Sequence, residues 1–75
     1  METLSTLNKL LSDILEEDIE LHESSTMENT PGWDSSTFLS LITAIELHYG
    51  IEIAGVDAIS LTSVKAIDQH LKALN

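Results

Sequence analysis

Apolar residues recur at the spacing of one helical face in the first sixteen positions of the chain. This stripe consists of Leu4, Leu7, Leu10, Leu11, Ile14 and Leu15. Either Thr3 or Ser5 can cap the start, because a hydroxyl accepts a hydrogen bond from a free backbone N–H of the first turn. The pattern predicts a first helix over about residues 3–16, with the stripe packed into a core.

The helical spacing is lost between residues 17 and 33. Ile19, Leu21 and Met27 are isolated apolar residues there among Ser, Thr, Asn, Glu, Pro and Gly. Connections longer than about 12–15 residues are uncommon in compact domains and are often functional. We therefore expect a long ordered loop, held to the core at a few points.

A second apolar pattern predicts the next helix. Its stripe is formed by Phe38, Leu39, Ile42, Ile45 and Tyr49, widened by Leu41 and Leu47. Asp34, Ser35 and Ser36 all suit an N-cap or a first turn. Gly50 suits a C-terminal cap, where a left-handed backbone is common. The helix is expected to lie between these two caps.

The remaining pattern completes an all-α fold. Residues 50–55 (GIEIAG) predict a short extended link, and residues 56–59 predict a single helical turn. Thr62 or Ser63 can cap a last helix, whose apolar residues are Val64, Ile67, Leu71 and Leu74. We expect one domain over residues 1–75, with three main helices, one short helix and a long loop between the first two.

Charge restricts the partners that this chain can have. Thirteen acids stand against three Lys, no residue is Arg, and the net charge is −10. Such a surface repels nucleic-acid phosphates and anionic membranes, so we expect neither as a partner. No apolar run approaches the roughly 18 residues of a membrane span, and the N-terminus lacks the basic start of a signal peptide. The interpretation is a cytoplasmic monomer that meets basic protein patches or cations.

Patterns for catalysis or for metal binding are weak in this sequence. His22, His48 and His70 lie in three segments without metal-binding spacing, and there is no Cys. No stretch resembles a nucleophile elbow. The acidic run from Asp13 to Glu20 lacks the alternating carboxylates of a calcium loop. We therefore predict no catalytic residue and no metal site, and we interpret the acidic run as a solvated face.

The start of the second helix leaves two interpretations open. Ser35 could be only a capping residue, which is the commoner meaning of this local pattern. It could also carry a phosphodiester, because the N–H groups and the dipole at a helix N-terminus favour an anion. The local pattern does not separate these two roles.

Three motifs together resemble acyl carrier proteins, which are small acidic four-helix carriers. The first is PGWDS at 31–35, followed by an apolar helix. The second is YGIEI at 49–53, similar to the family's aromatic-Gly-Ile-Glu-Ile link. The third is LTSV at 61–64, similar to its Thr-x-Val start of the last helix. The resemblance covers essentially the whole chain and includes the distance from Ser35 to Tyr49.

The resemblance implies that Ser35 carries 4′-phosphopantetheine, donated by coenzyme A, whose thiol holds an acyl group as a thioester. Asp34 and Ser36 flank it, and Ser36 stands where the family usually has Leu or Met. Ser35 is preferred because Asp34 directly precedes it. The implied partners are a phosphopantetheinyl transferase and the enzymes that load, condense and transfer acyl groups. The carrier itself would not be an enzyme.

A carrier of this kind needs a core that can hide an acyl chain. We expect this lining to be Met27, Phe38, Leu39, Ile42, Ile45, Ile53, Ile59, Leu61 and Ile67. Two alternatives remain: a carrier of amino acids, as in nonribosomal synthesis or D-alanylation, and a helical docking domain that is never modified. The exposed face of the second helix should be nearly neutral, with Glu46 as its lone acid. This favours specialised metabolism over housekeeping fatty-acid synthesis, with polyketide and hybrid pathways both open.

Overall fold

The computed structural model describes residues 2–74, and these residues form a bundle of helices. The helices are α1 (Glu2–Leu15), α2 (Ser35–Tyr49), α3 (Gly55–Ala58) and α4 (Val64–Ala73). Extended pairing within this part of the chain is limited to one isolated antiparallel bridge, between Thr26 and Ser63. The predicted all-α architecture of three main helices and one short helix is confirmed.

The core lies where α1 packs against both α2 and α4. Its fully buried helical side chains are Leu7, Leu11, Leu41, Ile45, Val64 and Ile67. The long loop adds Leu21 and Trp33, which are 2% and 1% exposed. Because each of these is an apolar side chain removed from water, burial of this cluster is the main force that holds the helices together.

The ends of the helices follow the local caps in the sequence. Asp34 is the N-cap of α2, and Gly50 ends that helix in the left-handed conformation, with φ of 65°. Of the two candidate caps for α4, Ser63 is used, and its hydroxyl accepts the N–H of Ala66 at 3.1 Å. Glu16 has a positive φ of 54°, which ends α1 one residue before the predicted boundary.

The loop between α1 and α2 is ordered by hydrogen bonds to α1 and to α4. Leu21 donates its N–H to the Asn8 side chain of α1 at 2.6 Å. Val64, at the start of α4, donates its N–H to the carbonyl of Ser25 at 3.0 Å. Since its backbone groups are paired in this way, the loop can hold Leu21 in the core.

Two residues predicted to line the core are outside it. Leu39 is 65% exposed and Ile59 is 74% exposed, so these two predictions are wrong. Leu39 lies two positions before the buried Leu41, which places it on the opposite side of α2. Leu47 lies two positions after the buried Ile45 and is 80% exposed for the same reason. Ile59 follows the short helix α3, which buries Ala58 instead.

Candidate functional site at the start of helix α2

Asp34 organises the first turn of α2 through a reciprocal capping box. Its Oδ1 atom accepts the N–H groups of Ser36 at 3.0 Å and of Thr37 at 3.1 Å. The Asp34 N–H donates in return to Thr37 Oγ1 at 2.9 Å. These bonds satisfy N–H groups that a helix start otherwise leaves unpaired, and they fix Ser35 as the first residue of the helix.

The two neighbouring serines have different surroundings. Ser36 Oγ donates to Asp34 Oδ1 at 2.8 Å, so this hydroxyl is part of the cap. Ser35 is exposed. Its hydroxyl takes no part in the hydrogen bonds of this turn or in those of any other residue between 2 and 74. Ser35 thus presents a free hydroxyl at the start of the helix, whereas the Ser36 hydroxyl is bonded to the capping carboxylate.

Asp34 is an ionised carboxylate at neutral pH. The hydrogen bond from the Ser36 hydroxyl, followed by those from the Thr37 and Ser36 N–H groups, holds the pKa of Asp34 below its usual value of 3.8. All three donors favour the charged form of the carboxylate. The negative charge of the Asp34 carboxylate, next to Ser35 in the chain, is thus stabilised by hydrogen-bond donors of the same turn.

Gly32, in the segment before Ser35, contacts both α2 and the end of α1. Thr37 Oγ1 donates to the carbonyl of Gly32 at 2.7 Å. Gly32 itself has φ of 91°, and a Cβ atom there would lie 2.9 Å from Cδ1 of Leu15. The backbone at Gly32 therefore passes close to the Leu15 side chain at the end of α1. A residue with a side chain at position 32 would adopt a strained left-handed conformation and would push the Leu15 methyl group aside.

Trp33 is a residue of this site that sequence reasoning missed. The pattern places it at the end of a loop, yet its side chain is 1% exposed and belongs to the core. Its Nε1 atom is buried and has no hydrogen-bond partner among residues 2–74. The composition could have indicated its burial. The chain has three aromatic residues, and a small core is expected to use its one Trp because large aromatic side chains bury much apolar surface.

The predicted acyl-chain lining is divided by the structure. Ile42, Ile45, Leu61 and Ile67 are buried in the core, with exposures from 0% to 6%. Met27, Phe38 and Ile53 are partly buried and pack against it. Leu39 and Ile59 do not join them. Seven of the nine residues thus share one apolar core, and their contact with an acyl chain stays a prediction.

Other kinds of site were sought over the same residues. In the described part of the chain, no three His, Cys, Asp or Glu side chains come together as a group that could hold a metal ion. No helix between residues 2 and 74 is long and apolar enough to cross a membrane.

Comparisons with known proteins identify the family of the chain and a similar fold. Residues 5–71 match the model of a family described as "Phosphopantetheine attachment site". A solved structure of a proposed acyl carrier protein from Mycobacterium tuberculosis matches with a TM-score of 0.82 and 22% identity, covering 97% of this chain and 99% of that chain. At this identity the likeness shows the fold alone. No curated protein shows significant similarity to the chain.

Proposed function

The chain belongs to the phosphopantetheine-attachment family of carrier proteins, and from this premise we propose that it carries acyl groups on an arm attached to Ser35. The domain that defines the family is the attachment site for 4′-phosphopantetheine, and its members are generally not catalytic. When attached, this group supplies a thiol at the end of a flexible arm, and the thiol holds an acyl group as a thioester. The roles below belong to the chain's own residues.

The free hydroxyl of Ser35 is the observation that carries the assignment. Ser35 and Ser36 are neighbours, but only Ser36 donates to Asp34. The N–H groups and dipole of α2 favour a negative charge at its N-terminus, which suits a phosphodiester on the first residue of the helix. Asp34 and Thr37 hold that residue in place through the capping box.

The proposed cargo is an acyl group, because the core next to Ser35 is apolar. Phe38, Ile42 and Ile45 follow Ser35 on the inward side of α2. An alkyl chain that packs among such side chains is removed from water at a gain of about 0.8 kcal/mol per buried CH₂. An aminoacyl group would gain less, since its ammonium loses hydration on entering the core.

We also propose a nearly uncharged docking surface, which we call the outer face of α2. Its members are Ser36, Leu39, Ser40, Thr43 and Leu47, all of them exposed. Carrier proteins act by meeting partner enzymes, and none of these five side chains is ionised. Shape, hydrogen bonds and small apolar contacts would then select the partner. This surface favours a pathway of specialised metabolism over housekeeping fatty-acid synthesis, with the protein acting as a cytoplasmic monomer of one domain.

One experiment tests the attachment site directly. The protein without its arm is incubated with coenzyme A and a phosphopantetheinyl transferase, and its mass is measured intact and after digestion. We expect the mass of one phosphopantetheine on the peptide that contains Ser35, no gain for Ser35→Ala, and a gain for the matched variant Ser36→Ala. Modification of Ser35→Ala would contradict the assignment. Absence of any gain in the unmodified sequence would favour a docking domain.

The cargo is tested after the arm is attached. The modified protein is offered matched acyl and aminoacyl donors with their loading enzymes, and the thioesters are identified by mass. We expect acyl thioesters to hydrolyse more slowly on the folded protein than on free pantetheine, because the core covers them. Protection of aminoacyl groups alone would point to the amino-acid carriers instead.

A further inference from the structure

Among residues 2–74, the buried polar side chains are paired, with one exception. Thr3 Oγ1 donates to Asp68 at 2.6 Å, and Ser25 Oγ accepts the N–H of His22 at 2.8 Å. Trp33 differs: its Nε1–H is buried and meets no acceptor anywhere in residues 2–74. A buried N–H is normally paired in folded proteins, because an unpaired one loses its hydrogen bond to water and gains nothing in return. This indole is therefore a donor that the protein's own side chains do not use.

Trp33 also lies next to the attachment residue. It is separated from Ser35 by Asp34 alone, whose backbone is extended, with φ of −128° and ψ of −171°. Two residues of extended chain span at most about 7 Å, so the backbones of Trp33 and Ser35 are close neighbours. The Trp33 side chain belongs to the same core as Ile42 and Ile45. Trp33 is thus a core residue two positions before the proposed attachment residue.

The backbone around Trp33 is held by hydrogen bonds, and the indole is packed in the core. The backbone N–H of Trp33 donates to the carbonyl of Thr30 at 3.1 Å. On the two sides of it, Gly32 is held by the Thr37 hydroxyl and Asp34 by the capping box. A donor held in this way loses little conformational freedom when an acceptor arrives, so a hydrogen bond to it is made at low entropic cost.

We propose that the Trp33 indole N–H donates a hydrogen bond to an oxygen of the carried acyl chain, so that the protein prefers chains with a 3-oxo group to fully reduced chains of the same length. This inference rests on the function proposed above and specifies its substrate class. A reduced chain that enters the core leaves the indole unpaired. An oxygenated chain that enters without a donor leaves its own oxygen unpaired, which is unfavourable in an apolar interior. A hydrogen bond between the Trp33 indole N–H and the oxygen of the acyl chain pairs both groups. A site with a buried donor discriminates in this way against ligands that lack an acceptor for it.

The indole itself reports on the proposed bond. Because the chain has one Trp, ¹⁵N-labelled protein gives one indole N–H signal. The protein with its arm is loaded with octanoyl or with 3-oxooctanoyl groups, and the indole signal and its hydrogen exchange are recorded. We expect 3-oxooctanoyl to shift the indole proton downfield and to slow its exchange relative to octanoyl. An indole signal that is the same for both acyl groups would overturn the proposal.

A second measurement uses the lifetime of the thioester. Protection is the lifetime of each thioester on the protein divided by its lifetime on free pantetheine. We expect protection to be roughly threefold to tenfold greater for 3-oxooctanoyl than for octanoyl, the value of one net hydrogen bond. Trp33→Phe keeps an aromatic ring but removes the N–H, so this ratio should fall to about one.

A matched variant separates the lost donor from a loosened core. Leu11→Val removes buried volume from the same core at a residue that is neither Trp33 nor one of the predicted lining residues, and it should lower both protections while it keeps their ratio. A ratio unchanged in Trp33→Phe would overturn the proposal. If Trp33→Phe fails to fold, the indole signal of the unmodified sequence decides alone. Failure of Ser35 to accept the arm would overturn the carrier function as well, whereas loading without an indole response overturns only this inference.

Discussion

Glu46 and Ile53 are joined by a hydrogen bond that gives the one acid of α2 a structural role. Glu46 Oε2 accepts the N–H of Ile53 at 2.8 Å, and the Glu46 carbonyl accepts the N–H of Ile51 at 3.0 Å. Both bonds hold the link that follows α2. The carboxylate is therefore directed to this link, and the outer face of α2 is left without an ionised side chain.

This arrangement predicts that docking depends on apolar contact more than on charge. Leu39→Ala removes a side chain that is 65% exposed on the outer face, four residues after Ser35. Glu46→Gln removes a charge but keeps an oxygen acceptor for the Ile53 N–H. We expect Leu39→Ala to slow acyl transfer by the dedicated partner enzyme more than Glu46→Gln does, as measured by the transfer rate at limiting enzyme.

Salt and a matched variant complete this test. Leu74→Ala removes another exposed apolar side chain, at the end of α4, and should leave transfer unchanged. Raising the ionic strength should change the rate only a few-fold, because charges at the edge of an interface mainly affect the rate of encounter. A larger loss in Glu46→Gln, or loss of transfer at moderate salt, would show that docking is electrostatic.

The end of α1 offers a stabilising substitution. Glu16 has φ of 54°, a left-handed conformation that costs a residue with a side chain about 1 kcal/mol or more. Glu16→Gly should raise the free energy of unfolding in urea by about 0.5–1 kcal/mol, the part of this strain that remains after the greater freedom of Gly in the unfolded chain. Glu16→Gln removes the same charge but keeps the left-handed strain, because Gln also carries a side chain. Equal effects of the two variants would mean that charge, and not backbone conformation, limits stability here.

The contact between Gly32 and Leu15 predicts a graded effect of alanine at two glycines. Gly32→Ala introduces a left-handed residue whose Cβ would lie 2.9 Å from Leu15, whereas at Gly50, with φ of 65°, nothing lies within 4 Å. Gly32→Ala should therefore lower the urea midpoint more than Gly50→Ala. It should also slow modification, because it moves the start of α2. Equal losses in the two variants would mean that the close contact is relieved at no cost.

The buried Asp68 predicts a loss of stability in acid. The Thr3 hydroxyl, followed by Lys72 at 3.0 Å, holds the pKa of Asp68 below its usual value of 3.8. A carboxyl whose pKa is lower in the folded state stabilises the fold above the unfolded pKa, and this contribution disappears as the pH falls through the folded pKa. Unfolding by urea at pH 7 should show Asp68→Asn to be less stable than the unmodified sequence.

The difference in the free energy of unfolding between the unmodified sequence and Asp68→Asn should become smaller as the pH is lowered below about 4. The comparison with Asp68→Asn is needed because protonation also relieves repulsion among the many other acids. If this difference in the free energy of unfolding stays constant from pH 7 to pH 3, Thr3 and Lys72 do not stabilise the ionised carboxylate of Asp68.

Much of this fold can be predicted from short-range features of the sequence. Helix boundaries are set by local caps: Asp34 and Ser63 begin helices and Gly50 ends one, each through hydrogen bonds to backbone groups at most four residues away. Local signals of this kind are present in the sequence before any tertiary contact forms. The periodic stripe of α1 likewise predicts the burial of Leu7 and Leu11, because the opposite side of that helix is polar.

The candidate site was located by sequence, but its details were not. Asp34 and Ser35 were predicted from the resemblance to acyl carrier proteins, because the local pattern did not separate a capping serine from an attachment residue. That Ser36 donates to Asp34 while Ser35 stays free depends on side-chain rotamers in the folded turn, which two neighbouring serines do not reveal. The unpaired indole of Trp33 is also invisible in the sequence, because it depends on every acceptor that could have approached.

Tertiary structure decided which apolar residues enter the core. Helix α2 has apolar residues on several sides, so its pattern could not separate Leu41, which is 1% exposed, from Leu39 or Leu47. Only the packing of α1 against α2 selects the buried side. Likewise, Trp33 lies at the end of a loop in the sequence, and its side chain is 1% exposed because it packs into the core formed by the helices. Helix ends are set by neighbours along the chain, whereas burial is set by residues that are distant in sequence and meet only after folding.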